Sequence, residues 1–278
     1  MHPDLMMAFE MLVQLLRADP RCKGGWHYGS VGRGQQDEYS DFDPVFLVDD
    51  RDFEAFAADV PRFMASVCDE LLICWPENYN DAHFKNFCSV LRLGDRLHQH
   101  DFFLLNAGYP MTWFCRQHLK GCTRSNIIFD RTGEVGILLD KGLRTDNHIP
   151  DVTRAIDTYW FHVEMLIKYF KRGDIFKLLK NIDFLRQAHV DVLLAQYDTL
   201  DWGAWETKVK HCVPPEKQAH LLAYYAAADF AELDRTLRKG MDFFRLDARE
   251  ACADQNADYP EGMVEAIAAY YLKRLSQA

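Results

Sequence analysis

The sequence predicts an α/β (α+β) first half, built around a short mixed β-sheet, followed by an all-α helical bundle. In the first half, short apolar segments rich in β-branched and aromatic residues alternate with helical ones, which is typical of a sheet packed against helices. After about residue 151, apolar residues recur at i, i+3, i+4 and i+7, the spacing of amphipathic helices. We therefore expect one domain over residues 1–145 and a second over residues 146–278.

The first half divides into segments of different periodicity. Helical spacing covers residues 5–16 and 51–72, and Pro61 lies where it would divide the second of these helices. Strands are expected within residues 25–30 and over residues 41–48, with a polar, glycine-bearing loop between them. This order of strand, loop and strand is the part of the sequence that carries chemistry.

A β-hairpin is expected next along the chain. Residues 87–93 and 97–105 are rich in apolar residues, and Gly94-Asp95-Arg96 between them has the composition of a turn. Asp95 therefore lies at an exposed tip in this prediction. Asp101 lies on the returning arm, on the same face of the strand as the apolar residues Phe103 and Leu105.

The second half predicts four packed helices. Turn residues separate them, for example at Gly173 and at Pro260, where a helix ends or begins. The predicted helices cover residues 155–170, 176–196, 218–237 and 263–275.

Composition limits the partners that the protein can have. The formal net charge is −10, which disfavours non-specific binding to nucleic acid and favours cationic or neutral acceptors. No secretory leader and no apolar run long enough to span a bilayer is visible, so we expect a cytoplasmic protein without a membrane partner. A homodimer is left open.

The cysteines do not form a recognisable metal or redox motif. None of the eight belongs to a Cys-x-x-Cys pair, so buried, reduced thiols are expected. The eight are Cys22, Cys68, Cys74, Cys88, Cys115, Cys122, Cys212 and Cys252.

The most informative stretch begins with a Gly29-Ser30 turn and ends with Asp41-Phe42-Asp43. Because side chains alternate along a strand, Asp41 and Asp43 would point to the same side about 7 Å apart. Two neighbouring carboxylates are stabilised by divalent cations, and Mg²⁺ prefers such oxygen ligands together with substrate phosphates. The Gly29-Ser30 turn offers backbone N–H groups and a hydroxyl to phosphate oxygens.

This order of motifs resembles that of the DNA polymerase β-like nucleotidyltransferase superfamily. Within it, the sequence is most similar to the lincosamide and aminoglycoside adenylyltransferases, which modify antibiotics. Two further segments, residues 127–133 and 169–174, are similar to segments of those enzymes. The matching first segment consists of Tyr28-Gly29-Ser30, Gly34, Asp37-Glu38-Tyr39-Ser40-Asp41 and the apolar strand that ends at Val48.

The resemblance implies a reaction and a set of site residues. It implies transfer of a nucleoside monophosphate, AMP from ATP, to a hydroxyl of a small acceptor such as a lincosamide or an aminoglycoside, with release of pyrophosphate. Two Mg²⁺ ions would be held by Asp41, Asp43 and a third carboxylate. Gly29 and Ser30 would bind the nucleotide, and the helical domain would bind the acceptor.

Two assignments stay open within this prediction. Asp101 is the candidate third carboxylate, as metal ligand or as general base, and Asp95 is its competitor. The gap between Asp43 and Asp101 is longer than in the lincosamide enzymes, with extra residues around 76–83. Arg33 would either contact the triphosphate or only keep its loop soluble.

Two other functions remain as alternatives. A toxin-like member of the superfamily would modify a protein or an RNA, although the acidic charge argues against RNA. A non-catalytic nucleotide-binding protein of the same fold is the other, although it would have no need of all three carboxylates.

Overall fold

The computed structural model describes residues 2–109, 121–141, 149–200, 203–225 and 227–275. The chain divides into two compact units, Met1–Thr145 and Asp146–Ala278. The expected boundary near residue 145 lies outside the described ranges.

The first unit is a mixed sheet with helices on both faces. Its described strands follow the spatial order β3-β4-β5-β2-β1-β6, in which only the β2–β5 pair is parallel. The predicted α/β fold with a mixed sheet is therefore confirmed. The strands are β1 (Cys22–His27), β2 (Pro44–Val48), β3 (Glu70–Pro76), β4 (Phe84–Leu93), β5 (Arg96–Asn106) and β6 (Ile127–Asp130). The helices are α1 (Pro3–Ala18), α2 (Gly29–Gly32), α3 (Phe53–Ala65) and α4 (Glu134–Asp140).

The two faces of the sheet differ in how they are covered. On one face, α1 and α3 bury Phe46 and Phe102 in a core that extends along the whole sheet. On the other face, α4 covers only one end, where Val45, Phe103 and Leu105 are buried. The remaining end of this second face carries the polar residues of the candidate site.

The hairpin prediction is confirmed. Strands β4 and β5 pair antiparallel from Phe84 opposite Leu105 to Leu93 opposite Arg96. Asp95 is exposed in the turn between them.

Two other predictions for this unit need correction. The predicted strand over residues 41–48 begins only at Pro44; Asp41 and Asp43 lie in the segment that leads into it. The predicted helix over residues 51–72 ends at Ala65, and Pro61 does not divide it.

The over-long helix has a physical explanation. The residues predicted beyond Ala65 include Val67 and Leu71, which are four apart as in a helix, and both pack against the same core as α3. Leu71 belongs to β3, where a β-bulge shifts the register between it and Ile73. The turn after α3 and the start of β3 thus continued the apolar spacing of the helix before them.

The second unit is all-α, as predicted, but its described residues form six helices and not the predicted four, and the third predicted helix is wrong. The helix expected over residues 218–237 is two helices, because the chain leaves helical geometry between Leu222 and Phe230. No glycine or proline marks this break; its one signal is Asp229, whose side chain caps the next helix. The helices are α5 (Val152–Arg172), α6 (Ile175–Tyr197), α7 (Trp205–Cys212), α8 (Pro215–Leu222), α9 (Phe230–Asp254) and α10 (Glu261–Leu275).

Breaks predicted from turn residues are found where expected. Gly173 ends α5 in the left-handed conformation, at φ 64°, and the Asp174 side chain caps α6. Pro260 immediately precedes α10. Across the ranges that the structure describes, no helix is both long and apolar enough to cross a bilayer.

The described cysteines are free thiols. Cys22 and Cys252 are buried, as expected, whereas Cys68, Cys74, Cys88, Cys122 and Cys212 are only partly buried. Cys115 lies outside the described residues.

The break before α9 generates a stability prediction. The Asp229 carboxylate accepts hydrogen bonds from the backbone N–H groups of Ala231 and Glu232, both at 3.0 Å. Asp229→Ala should therefore lower the free energy of unfolding by about 1 kcal/mol, the usual effect of losing a helix N-cap. Urea denaturation measures this change. Asp229→Asn keeps an acceptor oxygen and should stay close to wild type; equal losses in both variants would contradict the capping role.

Candidate active site

The segment before β2 brings its two aspartates against neighbouring strands. The backbone N–H of Tyr28, just after β1, donates to the carbonyl of Asp43 at 3.2 Å. On the other side, the backbone N–H of Asp101 on β5 donates to the carbonyl of Phe42 at 3.1 Å. Asp41 and Asp43 therefore flank a residue that is hydrogen-bonded to the backbone of Asp101.

Three carboxylates meet at this point. One oxygen from each of Asp41, Asp43 and Asp101 lies within 4.8 Å of the others, and all three residues are partly buried. Asp101 shares its side of β5 with the buried Phe103 and Leu105, as strand parity predicted. Asp95, the competing residue, is exposed in the hairpin turn and is not a member of this group.

Gly29 lies directly against this group. Its φ is +58°, a left-handed conformation that favours glycine. A Cβ atom there would lie 1.9 Å from the Asp43 Oδ2 atom, which is a severe overlap. Only glycine lets the turn at residues 29–30 approach the carboxylates so closely.

Burial and like charge raise the pKa values of two of these acids. Burial is the main cause for Asp43, with the negative charges of Asp41 and Asp101 as further causes, and together they raise its pKa to about 7. Burial, with a contribution from Asp101, also raises the pKa of Asp41. The group therefore favours protonation or the arrival of positive charge.

The donor set fits a divalent cation. Within the described ranges, no lysine or arginine forms an ion pair with Asp41, Asp43 or Asp101. The Asp101 Oδ1 atom is buried without a hydrogen-bond partner. Converging carboxylate oxygens that form no ion pair with a lysine or arginine are the arrangement in which hard cations such as Mg²⁺ bind.

Arg33 and Ser30 lie beside the same group. The Arg33 guanidinium donates to the Gly29 carbonyl at 2.8 Å and lies over the Tyr28 ring. Its positive charge lowers the pKa of Asp43, although less than burial raises it. Ser30 belongs to α2, the short helix that starts at Gly29.

Sequence reasoning missed two residues near Asp101, one on β4 and one just after β3. Cys88 on β4 lies directly opposite Asp101, and its thiol donates to the Glu77 carboxylate with an Sγ–Oε1 distance of 3.2 Å. Strand pairing could have identified Cys88, because it is the partner of Asp101 in the predicted hairpin. Glu77 follows β3, of which only residues 70–72 fell in the predicted helix, and it lies among the extra residues around 76–83, to which no element was assigned.

A second group of possible metal ligands lies in the helical unit. His189 and His220 each contact the Asp247 carboxylate at 2.7 Å. The Lys217 ammonium already contacts the other oxygen of Asp247 at 2.7 Å, and Tyr224 contacts His189 at 2.9 Å. This group is thus a hydrogen-bonded core network, in which a buried carboxylate has its countercharge.

Comparison with known proteins places the chain in a family. The model of the streptomycin adenylyltransferase family matches residues 6–274. The crystal structure of an aminoglycoside 6-adenyltransferase from Bacillus subtilis is similar over 99% of this chain and 99% of that chain, at 13% sequence identity and a TM-score of 0.43. No curated protein gives a significant match. The match to the family model confirms the predicted resemblance to antibiotic adenylyltransferases: the protein belongs to the streptomycin adenylyltransferase family and is an adenylyltransferase.

Proposed function

We propose that the protein transfers AMP from ATP to a hydroxyl group of an aminoglycoside antibiotic and releases pyrophosphate. The observation that carries this proposal is the meeting of three carboxylates against a glycine turn, in a member of an adenylyltransferase family. The name of that family supports streptomycin or a related aminoglycoside as the acceptor, while a lincosamide remains the alternative. The net charge of −10 favours a cationic acceptor.

The residues of the site would bind the divalent cations and the triphosphate. Asp41, Asp43 and Asp101 would hold divalent cations, which supply positive charge to the triphosphate and to the developing charges of an in-line displacement. The backbone N–H groups of Gly29 and Ser30, together with the Arg33 guanidinium, would bind phosphate oxygens.

The chemical step is a displacement at the α-phosphorus. The acceptor oxygen forms a bond to the α-phosphorus while the bond to the bridging oxygen of the β-phosphate breaks, and pyrophosphate leaves with that electron pair. Asp101 would accept the hydroxyl proton, and its Oδ1 atom, which has no hydrogen-bond partner, supports this role.

Removal of either aspartate before β2 tests the proposal as a whole. Asp41→Ala and Asp43→Ala should each abolish AMP transfer, because either change removes a cation ligand from the group. The measurement is incorporation of label from ATP into streptomycin and other aminoglycosides with Mg²⁺ present. Full activity in both variants would contradict the site, and labelling of a protein or an RNA in place of every antibiotic would identify a different acceptor class.

The role of Asp101 is tested against a matched residue of the same hairpin. Asp101→Asn keeps the shape of the side chain but removes a negative charge and a proton acceptor, so kcat should fall by about 100-fold or more. ATP affinity should change much less, because Gly29, Ser30, Asp41 and Asp43 remain. Asp95→Asn, in the exposed turn, should leave both values unchanged; a loss of kcat in this control variant alone would reverse the assignment.

The raised pKa of Asp43 gives a prediction about stability without metal. The unfolded carboxyl ionises near 3.8 and the folded one at about 7, so this residue destabilises the metal-free fold progressively as pH rises between those values. Asp43→Asn should therefore raise the thermal unfolding temperature in EDTA at about pH 8 and change it little at about pH 4.

Added Mg²⁺ provides the second half of this measurement. Binding to the folded state alone should raise the unfolding temperature of the wild-type protein and raise that of Asp43→Asn much less. Asp95→Asn serves as the control and should follow wild type in every condition. An Mg²⁺ response of equal size in Asp43→Asn and wild type would show that the cation binds elsewhere.

A further inference from the structure

A row of three side chains crosses the sheet from the carboxylate group toward its edge. Trp75 on β3 lies opposite Cys88 on β4, and Cys88 lies opposite Asp101 on β5. Directly opposed residues on neighbouring strands project from the same face and contact one another. Strands are spaced about 4.8 Å apart, so the row extends about 10 Å outward from Asp101.

This row is open where the rest of its face is covered. Helix α4 buries the other end of the face, yet the Trp75 side chain is 55% exposed and Ile73, on the same side of β3, is 51% exposed. A tryptophan that is exposed beside a polar site offers a flat apolar surface for a ring and a partner for a cation.

A fourth carboxylate lies beside the middle of the row. The Glu77 Oε1 atom accepts the thiol hydrogen bond of Cys88, and the Glu77 backbone N–H donates to the Asn86 carbonyl at 3.0 Å. The Asn86 amide in turn donates to the Cys88 Sγ atom at 3.6 Å and to the Tyr79 hydroxyl at 3.1 Å. Among the described residues, no lysine or arginine forms an ion pair with Glu77. Its negative charge is held in place and has no cationic partner there.

We propose that Trp75, Glu77 and Cys88 form an acceptor subsite beside Asp101, which selects a ring that carries a protonated amino or guanidino group. The proposal rests on the proposed function, since it places the reacting hydroxyl of the acceptor at Asp101. The ring lies along Cys88 toward the Trp75 side chain, and its positively charged substituent pairs with the Glu77 carboxylate. Glu77 thus selects the charge of the acceptor, and Trp75 selects its ring.

The test compares two acceptors that differ in one positive charge. One is an aminoglycoside with its amino groups free, and the other is the same compound acetylated at a single amino group. Wild type should have the higher kcat/KM for the charged acceptor. Glu77→Gln should reduce that preference by about 10-fold or more, the usual effect of losing a charge-assisted hydrogen bond, with the KM for ATP unchanged. Glu70→Gln is the matched control, because Glu70 lies on β3, the strand that Glu77 follows, but is ion-paired with Arg92 at 2.8 Å.

A second variant tests the aromatic surface. Trp75→Ala should raise the KM of both acceptors by a similar factor and leave kcat close to wild type, whereas Trp75→Phe should restore most of the affinity. Because Trp75 is exposed, its replacement should not unfold the protein, and circular dichroism checks this. A merely structural role would lower kcat and unfolding temperature together in the alanine variant.

The outcomes separate this inference from the function on which it rests. If wild type transfers AMP to no amino- or guanidino-bearing acceptor, the proposed function is overturned, and the subsite with it. If wild type is active and Glu77→Gln keeps the full preference for the charged acceptor, the subsite is overturned and the function stands. Loss of that preference in Glu77→Gln but not in Glu70→Gln supports the subsite.

Discussion

Mutual repulsion between three partly buried carboxylates is the constraint on which the rest of the first unit depends. The parallel pairing of β2 with β5 sets Val45 opposite Phe103, and the same register brings Asp43, two residues before Val45, beside Asp101, two residues before Phe103. Backbone hydrogen bonds from Tyr28 to Asp43 and from Asp101 to Phe42 keep the three carboxylates close together despite their like charge. The antiparallel pairs on either side of β2 and β5 anchor those two strands in the sheet.

The backbone turn at Gly29 can approach the three carboxylates because glycine has no Cβ atom. Gly29 brings a backbone turn within van der Waals distance of Asp43 because it has no side chain. Arg33 then provides positive charge from the same loop, and this charge lowers the pKa of Asp43 by less than burial raises it. The turn at Gly29 thus leaves space for a phosphate group directly beside carboxylates that attract cations.

The sequence predicted the parts of the site that depend on local order, and missed those that depend on strand pairing at the sheet edge. Asp41, Asp43 and the turn at Gly29 lie in one continuous motif, and Asp101 follows from strand parity in a hairpin with an evident turn. Glu77 follows an edge strand, β3, that was not predicted and whose first residues fell in a predicted helix, so its neighbours could not be identified. In the helical unit, the alanine-rich stretch before Asp229 has no residue that breaks a helix, and tertiary contacts of Tyr224 with His189 accompany the turn there. The helix propensity of a segment does not depend on such tertiary contacts, so it could not predict this break.

The bulge in β3 has a consequence for association between copies of the chain. Strand β3 lies at the edge of the described sheet, and an exposed edge with Ile73 and Trp75 would readily pair with the edge of another molecule. The irregular register near its start and Pro76 at its end, which has no N–H to donate, both interrupt the regular row of hydrogen-bonding groups that such pairing needs. The protein can therefore expose aromatic surface beside its site without offering a continuous template for aggregation.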